Sequence, residues 1–73
     1  MASAYVMSKV RNALERRGWT LTQWARENGF NENSVYVFLK RWSGRNRRPR
    51  SGFLTQKVIE ALERDTEVRI CGH

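Results

Sequence analysis

The sequence predicts an all-α fold: a compact four-helix domain with a basic loop before the last helix. Three observations carry this. Apolar residues recur at i, i+3 or i+4, and i+7, the spacing that puts them on one face of a helix. Glycines stand at 18, 29 and 44, one after each of the first three periodic segments, where a helix can stop. The chain of 73 residues supports one domain and not two.

The first helix runs from about Ser3 to Arg17, with Val6, Val10, Ala13 and Leu14 on one face and Gly18 as its stop. The second has a strong local start. Thr20 and Gln23 have capping-box spacing, and Trp19 and Trp24 have the spacing of a hydrophobic staple. Leu21, Trp24 and Ala25 form its inward stripe, and Asn28-Gly29 ends it. Asn31 caps the third helix, with Phe30 and Val35 repeating the staple. Val35, Phe38, Leu39 and Trp42 share its inner face, and Ser43-Gly44 closes it. Residues 43–51 hold the only proline, Pro49, and read as an extended loop. The last helix takes about 51–65, with Leu54, Val58, Ala61 and Leu62 inward. In the tail, 66–73, Val68 and Ile70 alternate with charged neighbours. That pattern suits a small strand, or a dimer contact shared with the last helix. All three tryptophans fall at staple or inward positions, which favours the core over an exposed stacking platform.

The formal net charge is +7, and it is concentrated. The segment KRWSGRNRRPR carries Lys40, Arg41, Arg45, Arg47, Arg48 and Arg50 with no acid. Without those six residues the chain has eight basic and seven acidic side chains, close to balance. Such a cluster attracts polyanions, and nucleic acid above all, because its phosphates release condensed counterions to Arg and Lys.

Other classes fit poorly. No stretch approaches the ~18 apolar residues of a membrane span, and the N-terminal segment lacks the unbroken apolar region of a signal peptide. A single cysteine leaves no internal disulfide framework. His73 is the only histidine, and with Cys71 it offers two ligands at a frayed end, too few for a metal site. No nucleophile, base and acid set can be assembled, and no phosphate-cradling glycine motif is present. The expectation is a binding protein, not an enzyme, with no cofactor, no small-molecule substrate and no membrane partner.

Only three or four residues around Gly29 separate the second and third helices. Helices joined this tightly cross steeply, so one can lie over a DNA backbone while the next enters the groove. The segment LTQWARENGFNENSVYVFLK, Leu21 to Lys40, resembles the helix-turn-helix of phage repressors and Cro-like proteins. Ala25 stands where the helices touch and Gly29 stands in the turn. Trp24, Phe30, Val35 and Phe38 are at core positions. Asn28 departs from the apolar residue the family usually has before the glycine. From about Val10 to Glu67, including WARENGF and VIEAL, the chain is also similar to small phage and prophage regulators of the Mu-like Ner type. In size and style it is similar to anti-CRISPR-associated autorepressors as well.

The resemblance implies a lambda repressor-like domain over 1–73, with its motif at 20–42. It implies a phage or prophage transcriptional repressor that works as a homodimer on a palindromic operator, in the bacterial cytoplasm with the nucleoid. It puts base readout at Asn31, Glu32, Asn33, Tyr36, Val37 and Lys40. The chemistry suits this: Asn can bond adenine N6 and N7, Lys guanine, Glu cytosine N4, and Val a thymine methyl. Backbone contacts are expected from Thr20, Thr22 and Gln23, and from Arg41, Arg45, Arg47, Arg48 and Arg50. Two rival readings remain open at this point: an RNA-binding protein using the arginine-rich loop, and a module whose helix pair docks a protein partner. Within the leading reading, no residue decides between repression and activation.

Overall fold

The computed structural model describes residues 2–50 and 52–72. Ser51, where the last helix was expected to begin, and His73 lie outside them. The described residues form four α-helices and no strand: α1 (Ala2–Arg16), α2 (Leu21–Glu27), α3 (Glu32–Trp42) and α4 (Leu54–Thr66).

Local chemistry sets the helix ends. Thr20 Oγ1 accepts the Gln23 N–H while Gln23 Oε1 accepts the Thr20 N–H, each at 3.1 Å, so the capping box forms in full. Asn31 Oδ1 accepts the Ser34 N–H at 3.1 Å and caps α3. α2 ends in a Schellman motif: the Phe30 N–H reaches Ala25 O at 2.8 Å and the Gly29 N–H reaches Arg26 O at 3.1 Å. That motif needs a left-handed residue, which Gly29 supplies at φ 75°. Asn28, the departure from the family pattern, has its own use here. Its side-chain amide donates to Trp24 O at 2.8 Å, satisfying a carbonyl at the end of the helix.

The core gathers one stripe from each helix. Val10 and Leu14 from α1, Trp24 and Ala25 from α2, Val35 and Leu39 from α3, and Val58, Ile59 and Leu62 from α4 are buried together. Trp19, Leu21, Phe30, Phe38, Trp42 and Ala61 pack partly buried against them, so the tryptophans do take core positions. Buried polar groups find partners within their own helices or across the core. Ser43 Oγ donates to Leu39 O and Thr66 Oγ1 to Leu62 O. Trp24 Nε1 donates to Asp65 Oδ2 at 2.9 Å, pinning α2 to the end of α4.

Two expectations are corrected. Leu54 is 50% exposed, not inward. It is the first residue of α4, its N-cap Phe53 makes no side-chain cap, and the buried stripe begins a turn later at Val58. The tail forms no strand among the described residues, and its apolar residues are not spare surface. Ile70 and Cys71 are fully buried in the protein's own core, with Val68 packed beside them. The small core recruits the tail as a fifth side, so Ile70 is not available to a partner.

Candidate nucleic-acid interface

The connection between α2 and α3 is residues 28–31, and it holds the two helices against each other with α3 turned half outward. α3 has two unlike faces. Val35 and Leu39 are fully buried, whereas Asn33, Tyr36, Val37 and Lys40 are exposed. At 100° per residue, positions 33, 36, 37 and 40 make one strip along the helix. Val37 is 54% exposed and Tyr36 41%, a conspicuous apolar and aromatic pair on a surface helix. Eleven residues give α3 a length of roughly 16 Å, enough to lie in a groove ~12 Å wide.

Two other expected readout residues have internal partners. Asn31 spends its carbonyl oxygen on the cap of α3, which leaves its amide N–H groups for a ligand. The Glu32 carboxylate pairs with Arg26 Nε at 3.1 Å, so the ion pair ties the end of α2 to the start of α3 across the turn. Among the expected backbone contacts, Thr20 and Gln23 are occupied by their capping box, while Thr22 is exposed.

The cations divide into two groups. Lys40, Arg41, Arg45, Arg47 and Arg50 are exposed and, among the described residues, pair with no carboxylate. Arg45 is held in place at the end of α3. Its Nε donates to Arg41 O at 2.7 Å, and its guanidinium carbon lies 5.8 Å from the Trp42 ring centroid, within cation–π range. Arg48 differs from the rest. It forms an ion pair with Glu63 at 2.5 Å and donates to Cys71 O at 3.0 Å. The structure therefore gives Arg48 an internal role that the charge cluster alone did not reveal.

Glu63 is the centre of this contact. Partial burial pushes its carboxyl up. The Arg48 hydrogen bond, the Ile70 N–H and the Arg48 charge outweigh that and hold it below the usual glutamate value. The sign follows: a depressed native pKa adds stability above the unfolded value of ~4.3, and this is lost as pH falls through the native pKa. The melting-temperature difference between wild type and Glu63→Gln is expected to be full near neutral pH and to shrink below pH ~4.3. Melts across that range check it. A difference that persists unchanged at the lowest pH contradicts the assignment. Burial also pushes the Cys71 thiol up, away from thiolate.

Sequence reasoning missed Glu63 and the Trp42 seat for Arg45. Only the latter had a local signal, the three-residue spacing. Among the described residues no group of three or more His, Cys, Asp or Glu side chains is placed to hold a metal ion. Among the described residues no helix is long and apolar enough to cross a membrane. No protein-family model, curated protein or solved structure matches the chain.

Proposed function

We propose that this chain is a sequence-specific duplex DNA-binding protein, a helix-turn-helix regulator of the phage repressor, Cro or Ner kind, which reads the major groove with α3. One observation carries the reading. α3 presents Asn33, Tyr36, Val37 and Lys40 outward while its other face is sealed in the core, and exposed cations that pair with no carboxylate among the described residues follow it in the chain. A rigid helix with polar and apolar groups in one row can match the donor, acceptor and methyl pattern of base edges. The adjacent Arg41, Arg45, Arg47 and Arg50 suit sugar–phosphate contacts, which position the helix without reading sequence. On this reading the chain is not an enzyme and acts as a repressor. Two copies sit on a palindrome, because one short helix covers too few base pairs for selectivity.

Selection from random duplexes tests the proposal. Enrichment of a common, two-fold symmetric site is the expected result. No enrichment, with structured RNA the better competitor at fixed salt, contradicts it. Equal affinity for a half-site and the full palindrome contradicts the dimeric part alone.

Two substitutions separate readout from attraction. Asn33→Ala is expected to relax preference at one base pair, at a cost of about 1–3 kcal/mol on the selected site. Arg47→Ala is expected to weaken binding to all sequences alike and to reduce the salt slope by about one unit. Titrations of matched and mismatched duplexes at several salt concentrations measure both. The reverse pattern would mean that the readout surface is elsewhere.

A further inference from the structure

We propose that the C-terminal tail is a splint for the cationic loop, and that Glu63 is the residue that positions it; this rests on the DNA-interface reading above. The loop is pinned at several points. The Gly44 N–H donates to Ile70 O at 2.8 Å, and the Gly72 N–H donates to Arg45 O at 2.8 Å. Further on, Arg48 reaches back to Cys71 O at 3.0 Å. Glu63, on α4, closes the arrangement by accepting from Arg48 Nη2 at 2.5 Å and from the Ile70 N–H at 2.9 Å. One carboxylate thus bonds to both loop and tail, beside the three direct bonds between them. The tail itself is anchored by Ile70 and Cys71, both fully buried.

The fit at residue 72 leaves no room for a side chain unless Arg48 moves. A Cβ at residue 72 would stand 2.7 Å from Arg48 Cγ, and Gly72 has φ 77°, a conformation that side-chain-bearing residues rarely adopt. α3 also ends differently from α1 and α2. Where the glycines at 18 and 29 donate back into their own helices, Gly44 donates to the tail. The end of α3 and the start of the loop are therefore built on the tail.

A run of arginines repels itself and would be mobile if left free. Binding would then have to order it, and ordering even one backbone residue costs about tenfold in affinity. A splinted loop presents Arg45 and Arg47, which fall within its pinned stretch, already in place, which is pre-organisation. Charge alone makes the opposite prediction for Glu63. Removing an acid raises the net charge by one and should strengthen binding to a polyanion.

The test compares wild type, Glu63→Ala and Val10→Ala on the selected duplex by fluorescence anisotropy, at one salt concentration and below every melting temperature. Val10 is buried in the core and is a partner in none of the loop–tail hydrogen bonds, so its variant controls for lost stability. Glu63→Ala is expected to bind about tenfold more weakly, with Val10→Ala binding like wild type. Arg48 is retained in both variants, so no loop cation is removed. Binding by Glu63→Ala as tight as wild type, or tighter, overturns the proposal, and so does an equal loss in Val10→Ala. Amide exchange gives a readout that needs no DNA. The Gly44 and Gly72 amides are expected to exchange faster in Glu63→Ala than in Val10→Ala, and no difference overturns the splint. If wild type selects no duplex, the interface reading falls, and amide exchange alone decides the splint.

Discussion

Val37→Glu is expected to remove DNA binding while leaving the fold intact. Val37 is 54% exposed in the middle of the outward strip of α3, with Asn33 and Tyr36 before it and Lys40 after it. On the proposed reading, the substitution removes a group that would contact a thymine methyl and puts a carboxylate beside a groove wall lined with phosphates. Like charges brought together in an interface cost several kcal/mol, so a loss of at least about a hundredfold is expected. Glu is a better helix former than Val, and a position more than half exposed has little packing to lose. Stability should therefore stay within about 0.5 kcal/mol of wild type. Anisotropy titrations paired with thermal melts check both halves. A variant that melts like wild type and still binds the selected duplex normally would place the readout surface elsewhere.

Leu39→Ala is expected to do the reverse. Leu39 lies on the same helix, on the sealed face, with no exposed surface. It packs in the cluster that joins all four helices and the tail. Truncating a fully buried leucine costs about 2–5 kcal/mol. A domain this small has roughly 4–11 kcal/mol in total, so a large share is removed. The midpoint of thermal unfolding should fall by about 13–33 °C. Denaturant melts should show a lower midpoint at unchanged slope. DNA affinity measured well below the new midpoint should be close to wild type, because the side chain faces away from the strip. Near the midpoint it should drop in proportion to the folded fraction. A Leu39→Ala variant that is folded and fails to bind would show that the two faces of α3 are not independent.

What was legible in the sequence was local. The Thr20–Gln23 box, the Asn31 cap and the glycines after α1 and α2 act within a few residues, and each was readable from spacing. The inner and outer faces of α3 followed from its period, because burial of Val35 and Leu39 fixes where Asn33, Tyr36, Val37 and Lys40 must point. What was not legible depends on distance along the chain. Glu63 meets Arg48 across 15 residues, Arg48 meets Cys71 across 23, and Trp24 meets Asp65 across 41. No periodicity encodes such pairs. The charge cluster treated six cations as equals, and only the position of Glu63 separates Arg48 from the others. The start of α4 was misread for a related reason. Phe53 is a weak N-cap with no side-chain acceptor, so there was no local signal to put the boundary at Leu54.

The most direct measurement is an amide NMR titration of the protein with its selected duplex. The central claim predicts that the largest shifts fall on Asn33, Tyr36, Val37 and Lys40, with the loop cations second and the exposed residues of α1 unmoved. Unmoved amides along 33–40, with the shifts collected on α1 instead, would contradict it.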